Sequence, residues 1–188
     1  MQHTHLVLIT SLLPLSLILA SCSSEPVEQL QLAQKAMEQA KVERAEEFAP
    51  TDWKTAQQAW QDAHSLMSKQ KYSEAGPLLL RAKSRFEKAR DIARAKREDL
   101  RREIDGMQKT LDTRYASLKA GIESSKISSS ARKSLNETCR GIDQEIEKTK
   151  AQFDQGEYSQ ARSMVLTVMR RVYEAEKVLE KSGSGARP

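Results

Sequence analysis

The sequence is poor in aromatic residues, glycine, proline and cysteine. Aromatic residues make up 5% of its 188 positions, and there are 7 Gly, 5 Pro and 2 Cys. A β-sandwich or barrel needs a turn every ~8–12 residues, so this shortage argues against both folds. The abundance of Ala, Glu, Lys, Leu, Gln and Arg is typical of long helices. We therefore expect an all-α protein with a thin core of Ala, Leu, Met and a few aromatic rings.

One apolar run stands near the start of the chain, at residues 6–20. It is shorter than the ~20 residues that a membrane-spanning helix needs, and it ends in small residues as secretory signals do. The motif Leu-Ala-Ser-Cys at residues 19–22 resembles the lipobox of bacterial lipoproteins. The resemblance implies that residues 1–21 are removed by cleavage between Ser21 and Cys22, and that Cys22 carries fatty-acyl chains such as palmitate. An ordinary signal peptide, or a short anchor with an incidental Cys, is the alternative.

Acylation of Cys22 leaves Cys139 as the single thiol of the mature chain, which excludes a disulfide framework within one chain. The residue after the lipobox is Ser23 rather than Asp, which in Gram-negative lipoproteins favours the outer membrane. We therefore expect a periplasm-facing protein, anchored by its lipid in the outer membrane of a Gram-negative cell or outside the plasma membrane of a single-membrane bacterium. Residues 1–5 depart from the lipoprotein pattern because they contain no Lys or Arg.

The spacing of apolar residues predicts five helices after a short tether at residues 22–26. The first covers about residues 27–48, Thr51 caps the second, and Ser73 caps the third with Pro77 in its first turn. The predicted breaks lie at 49–52, 69–73, 124–130 and 154–157, and a flexible tail follows at 182–188.

The third predicted helix is unusually long. Its apolar stripe runs from Tyr72 to Ala93, is interrupted by a charged passage at 94–103, and resumes from Ile104. Because no Pro occurs between residues 78 and 123, we expect one helix of about 50 residues, about 75 Å long at ~1.5 Å per residue. A kink near Arg97–Gly106 is the alternative.

A shift of 86 residues relates the second and third helices to the fourth and fifth, and places residues 72–75 on 158–161. Two amphipathic helices leave apolar surface open, so the first helix and the second half of the long helix should each cover one hairpin. We expect two three-helix bundles, at residues 27–97 and 98–181, that share one long helix as in a spectrin-like rod.

The first hairpin has an aromatic-Ala-Pro break at residues 48–50, a helix of small residues, a Tyr-x-x-Ala start at 72–75 and a ladder of Ala up to Ala93. These features resemble the envelope lipoprotein family called domain of unknown function 4398, over about residues 27–97. The resemblance implies a helical fold and an envelope address, and it supplies no catalytic residues. Gly76-Pro77 departs from the continuous Ala and charged run of that family.

The sequence shows no catalytic or cofactor signature. After processing, His64 is the one His and Cys139 the one Cys, which cannot make a zinc site. Cys139 lies at a seam position, where burial is the favoured interpretation and an intermolecular disulfide the alternative. For Trp53 and Trp60, seven residues apart, core packing is favoured over ligand stacking. We therefore expect no enzyme activity, metal or cofactor.

The formal net charge of +5 is concentrated in the first hairpin. Residues 51–97 contain 11 basic and 5 acidic residues, whereas residues 22–50 contain 3 basic and 6 acidic residues. Basic residues crowded on the third helix form a candidate surface for a polyanion such as lipopolysaccharide or a wall polymer. These residues are Arg81, Lys83, Arg85, Lys88, Arg90, Arg94, Lys96 and Arg97. The favoured alternative is a solvated face neutralised by interleaved acids and by the acidic first helix.

These observations favour a non-enzymatic, lipid-anchored helical rod that acts as an envelope scaffold, spacer or partner-binding module. Its expected partners are the membrane, through the lipid on Cys22, and a protein or envelope polymer. Nucleic acid is not expected because export separates the chain from it. Long seams also pair between chains, so a homodimer stays open. Polyanion binding is the alternative function.

Overall fold

The computed structural model describes residues 24–184, and its regular structure over that range is entirely helical. The all-α prediction is confirmed. The predicted signal peptide, the lipidation site Cys22 and residues 185–188 of the predicted tail lie outside the described residues. The helices are α1 (Val27–Val42), α2 (Ala45–Phe48), α3 (Pro50–Ser68), α4 (Tyr72–Ser124), α5 (Ser129–Asp154) and α6 (Tyr158–Ser184).

The predicted first helix is interrupted. α1 ends at Val42, and Arg44 adopts a left-handed conformation with φ 57° and ψ 43° before the four-residue α2 begins. This break redirects the chain so that Ala45 and Phe48 are buried. The prediction of one continuous helix over residues 27–48 is therefore wrong, and no Gly or Pro marks the break in the sequence.

Two predicted helix starts are also corrected. α3 begins at Pro50, because the first helical position tolerates the missing N–H of proline, so Thr51 lies inside the helix instead of capping it. α4 begins at Tyr72, one residue before the predicted cap Ser73. Pro77 consequently lies in the second turn of α4 rather than the first.

The first bundle is formed by α1 and α3, which both pack along the first half of α4. α1 runs parallel to α4, whereas α3 runs antiparallel to it across a short turn. Small side chains dominate this core and allow the helices to approach closely. The buried Ala residues are Ala33, Ala36, Ala40, Ala45, Ala49, Ala56, Ala59, Ala63, Ala75, Ala82, Ala89 and Ala93. Within this core the ring of Trp53 packs on that of Phe86, with ring centroids 5.2 Å apart.

The second bundle is formed by α5, α6 and the second half of α4. Its core is mainly aliphatic, with Leu111, Leu118, Ile122, Leu135, Ile142, Ile146, Val165, Val168 and Val172 among the buried residues. Methionine contributes less than expected, since Met37, Met67, Met107 and Met169 are only partly buried against the cores. The prediction of a core made of Ala, Leu, Met and a few rings is therefore wrong for the second bundle, where Ile and Val are prominent.

Helix α4 passes from one bundle into the other as a single helix of 53 residues. At ~1.5 Å per residue its length is about 80 Å. The prediction of one long helix is confirmed, since α4 is helical throughout 97–106. Within residues 24–184, no helix combines the length and apolar character needed to cross a membrane.

The ends of the helices reproduce the 86-residue repeat. α3 ends at Ser68 and α5 at Asp154, and the following helices begin at Tyr72 and Tyr158. Both pairs of positions are 86 residues apart. The correspondence therefore extends from the sequence to the helix boundaries themselves.

The two connecting turns also share their backbone geometry. Gln70 has φ 56°, and Gly156, which is 86 residues later, has φ 77°. In the first turn the N–H of Gln70 donates to the carbonyl of Met67, and in the second the N–H of Gly156 donates to that of Phe153. A left-handed residue that follows a helix end satisfies carbonyls that the helix leaves unpaired. The repeat is thus a repeat of turns as well as of apolar stripes.

This shared turn predicts opposite effects for two substitutions. A side chain in the left-handed region costs about 1–2 kcal/mol, partly offset by the smaller entropy of the unfolded chain. Gln70→Gly should therefore raise the free energy of unfolding slightly, and Gly156→Gln should lower it by about 1 kcal/mol. Urea denaturation followed by circular dichroism measures both.

Gly106→Gln serves as the control for this pair of substitutions. Gly106 lies inside α4 with open space where a Cβ would stand, so a side chain should stabilise the helix there. A Gly156→Gln variant as stable as the parent chain would contradict the assignment of strain to the turn.

Candidate functional surfaces

Most of the predicted polyanion-binding surface is engaged in ion pairs. Five of its eight residues contact carboxylates within the first bundle or along α4 itself. The pairs are Lys83 with Glu87, Lys88 with Asp52, Arg90 with Asp91, and both Arg94 and Arg97 with Glu43. The expectation that acidic residues neutralise this face is confirmed for these five positions.

Glu43 is the central acceptor on this face. It follows the end of α1, and one carboxylate oxygen accepts from Nε of Arg94 at 3.1 Å while the other accepts from Arg97 at 2.8 Å. About one turn earlier, on α1 itself, Gln39 accepts from Arg90 at 3.0 Å. These contacts hold α1 in parallel register with α4. Reversal of Arg90 or Arg94 would therefore disturb the bundle as well as the surface charge.

The remaining three cations, Arg81, Arg85 and Lys96, form no ion pair within the described residues. They lie within about 60° of arc on α4 at ~100° per residue, and we call them the cation stripe. At one end of the stripe Arg81 borders an open groove between α3 and α4. Gln58 and Asp62 of α3 also line the groove, and their side chains hydrogen-bond to each other at 2.9 Å. An anionic group in this groove would meet one cation of the stripe, Arg81.

A second polar cluster joins the two bundles. Arg44, at the break after α1, contacts Glu47 at 2.6 Å and Glu157 at 2.9 Å. The hydroxyl of Ser159 donates to Glu47 at 2.7 Å, and the Arg97 guanidinium lies 6.0 Å from the centre of the Tyr158 ring. The connection between α1 and α3 therefore contacts the turn between α5 and α6. We call this cluster the junction.

The ion pairs of the junction orient the bundles more than they stabilise them. The side chains of Arg44 and Glu157 are 35% and 41% exposed, and pairs in such settings contribute about 0–1 kcal/mol each. Burial lowers the pKa of Arg44, but its bonds to Glu157 and Glu47 outweigh burial and raise that pKa. Leu100 connects the apolar cores of the two bundles. It packs against the first core and against the cluster of Ile104, Ala161 and Val165.

Cys139 is a buried thiol on the seam of α5. It is 6% exposed, and its carbonyl oxygen accepts from the Tyr115 hydroxyl at 2.7 Å. Burial raises the pKa of the Cys139 thiol, and burial is also the main cause that raises the pKa of Tyr115. The favoured prediction of a small buried side chain is confirmed. A folded chain would have to open locally before this thiol could form an intermolecular disulfide.

His64 and Cys139 are not brought together. His64 is exposed on α3, where its ring lies 4.4 Å from that of Trp60, whereas Cys139 belongs to the second bundle. Among the residues that the structure describes, no group of three or more His, Cys, Asp or Glu side chains could hold a metal ion. Because they lie in different bundles, these two residues are not placed to act together as a nucleophile and its base.

The two tryptophans differ in environment. Trp53 is 4% exposed and packs on Phe86, which confirms the predicted core role. Trp60 is only partly buried, at the edge of the first core beside His64. Ala59 takes the adjacent buried position on α3, which the seam spacing did not predict.

The junction contacts were not predicted from the sequence. Arg44 and Glu157 are 113 residues apart, and neither position stands out in composition or spacing. One signal in the sequence was the charged passage at 94–103, which interrupts the apolar stripe of α4. The connection between α1 and α3 meets the turn between α5 and α6 at this level. A polar interruption within a long seam indicates a place where connections cross the helix.

A comparison with family models bears on the first bundle. Residues 28–105 match the model described as Domain of unknown function (DUF4398). The match confirms the resemblance seen in the sequence and extends eight residues beyond residue 97, to the start of the second core. It covers α1 to α3 and the first part of α4, which is less than half of the chain. No curated protein and no solved structure gives a significant match.

The burial of Cys139 predicts slow alkylation in the folded protein. Because burial raises the thiol pKa, less reactive thiolate is present at pH 8 than in an exposed cysteine. Modification by a maleimide should be slow in buffer and fast in urea, as measured by mass spectrometry. A Ser130→Cys variant, exposed near the start of α5, is the control and should react at once. Equal rates at the two thiols in buffer would contradict the buried assignment.

Proposed function

We propose that this protein is a non-enzymatic, lipid-anchored rod of the bacterial cell envelope that acts as a scaffold or spacer. Cys22 carries the lipid, and the chain faces the periplasm from the outer membrane of a Gram-negative cell. The partner at the other end is a protein or an envelope polymer. The DUF4398 region forms the bundle nearest the anchor, and the second bundle projects away from it.

The observation that carries the proposal is the shared helix α4. A single helix that supplies a wall of both cores keeps two bundles in line, so their two ends stay far apart. The described structure begins two residues after Cys22, and α1 runs from that end toward the junction. A lipid on Cys22 would therefore hold one end of the rod, while the loop at 125–128 marks the opposite end. Such a shape suits a mechanical role.

Replacement of Cys22 tests whether the protein is held at the membrane by a lipid on this residue. In cells fed labelled palmitate, Cys22→Ala should abolish incorporation of label and shift the protein out of the membrane fraction or leave it as an uncleaved precursor. Several acyl chains together anchor a protein firmly, and replacement of Cys22 removes all of them at once. The loss of label should therefore be complete rather than partial. Label and fraction are read from gels of washed membranes.

The matched control uses the other cysteine. Cys139→Ala removes a buried thiol without touching the lipobox, so that variant should keep its label and its fraction. A Cys22→Ala chain that still incorporates palmitate would contradict the proposal.

Polyanion binding is a second candidate, and the cation stripe is the observation that favours it. Arg81, Arg85 and Lys96 share one side of α4 and have no acidic partner among the described residues. Asp62, which lines the groove, and Asp52, which pairs with Lys88 on the same bundle, limit the size of any positive field. Of the eight basic residues first considered for polyanion binding, these three therefore remain the candidates.

A charge-reversal series tests this candidate. Arg81→Glu with Arg85→Glu and Lys96→Glu should abolish salt-sensitive binding to lipopolysaccharide, since it changes the local charge by six units. Binding is measured by co-sedimentation at low and high salt. The control is Lys35→Glu with Lys54→Glu and Lys148→Glu, which has the same net change at other exposed positions. Equal losses in both series would show a response to net charge alone and would contradict a local site.

A further inference from the structure

Two exposed apolar side chains lie together at the end of the first bundle. Val27 at the start of α1 and Leu80 on α4 are 48% and 47% exposed. Both line one open groove, together with Tyr72 and Pro77. A single exposed apolar side chain is ordinary, but a contiguous group indicates a surface that contacts something apolar. We call this group the end groove.

The chain enters the structure at the end groove, and its entry is well defined. Pro26 is buried and lies 3.8 Å from the point where a Cβ on Gly76 would stand. The N–H of Val27 donates to the carbonyl of Glu25 at 2.9 Å, and the N–H of Leu30 donates to that of Pro26 at 3.0 Å. The backbone is thus held against α4 from about Glu25 onward, which leaves very little free tether.

The distance to the anchor is correspondingly short. Cys22 precedes Val27 by five residues, and a fully extended chain of that length spans at most about 18 Å. If the apolar run at 6–20 instead stays attached as a short anchor, seven residues separate Ala20 from Val27, and the extended chain spans at most about 25 Å. Whatever surface holds this end of the chain must therefore lie close to the end groove.

We propose that the end groove is seated on the surface of the lipid bilayer, with Val27 and Leu80 in contact with lipid. The proposal rests on the membrane anchoring proposed above and adds a second, non-covalent contact to it. The seat fixes the direction in which the rod leaves the membrane, which a flexible tether would not do. A scaffold with a defined direction can hold a partner at a defined distance.

The charges at this end indicate an apolar contact rather than an electrostatic one. Lys69 and Lys71 lie in the turn beside the groove, but Glu25, Glu28 and Glu74 stand at the same end. Lys71 also pairs with Glu74 at 3.2 Å. Because the signs are mixed, contact with neutral phospholipid should equal contact with anionic phospholipid, and added salt should change it little.

Fluorescence quenching by lipid tests the seat in the full, acylated chain. A polarity-sensitive fluorophore is attached at Ser73→Cys, an exposed position that lines the groove, in a Cys139→Ala background. The protein is reconstituted in vesicles of neutral phospholipid with and without nitroxide-bearing lipid. We expect quenching in the reference chain, and loss of most of it when Val27→Ser and Leu80→Ser are combined. Co-sedimentation with the vesicles measures anchoring separately.

The matched control is Leu166→Ser combined with Val178→Ser on α6, because these residues are each 48% exposed in the other bundle. The control should keep its quenching. Two results overturn the seat while leaving the anchor in place: no quenching in a reference chain that sediments, or quenching that survives Val27→Ser with Leu80→Ser. Shielding of the fluorophore without vesicles, growing with protein concentration, would assign the groove to a second copy and overturn the lipid seat. A reference chain that fails to sediment overturns the anchor and the seat together.

Discussion

The constraint on which the molecule depends is the continuity of α4. The same helix buries Leu79, Phe86 and Ala93 in the first core and Leu111, Leu118 and Ile122 in the second. Because an α-helix is stiff over this length, the direction of one bundle sets the direction of the other. The other long helices pack on this one: α1 and α3 cover the stripe of α4 in the first bundle, and α6 covers it in the second. Helix α5 packs mainly on α6. An elongated shape is therefore a consequence of one unbroken helix.

The charged passage of α4 gains a structural explanation at the junction. The apolar stripe is reduced there to Leu100, because the connection after α1 places Glu43 against Arg94 and Arg97, and the turn before α6 places Tyr158 beside Arg97. Turns carry backbone groups that need polar partners, and Arg44 donates to the carbonyl of Gly156 as well as to Glu157. Arg94 and Arg97 meet Glu43 in the same region. Much of the basic character of the chain is thus neutralised by acidic partners within the fold, which leaves fewer cations for a polyanion.

The two bundles share a design but differ in their cores. The two turns have a left-handed residue at the same position, Gln70 in the first and Gly156 in the second. The helices that follow these turns begin 86 residues apart. The first core relies on Ala around Trp53 and Phe86, whereas the second relies on Ile, Leu and Val. The family match covers the Ala-rich bundle, at the end nearest the proposed anchor. The match therefore describes the Ala-rich bundle and ends where the aliphatic core of the second bundle begins.

Local patterns in the sequence determined the helical class, the length of α4, the turn before Tyr158 and the burial of Cys139. Each of these depends on periodicity or turn residues within a few positions, so each can be predicted from neighbours along the chain. Other features depend on residues far apart in sequence. The break at Arg44 is held by Glu157, the pairing of Arg94 needs Glu43, and the exposure of Leu80 depends on where Pro26 enters. Only the tertiary structure decided these, because an ion pair or a groove forms between surfaces whose relative position no local pattern encodes.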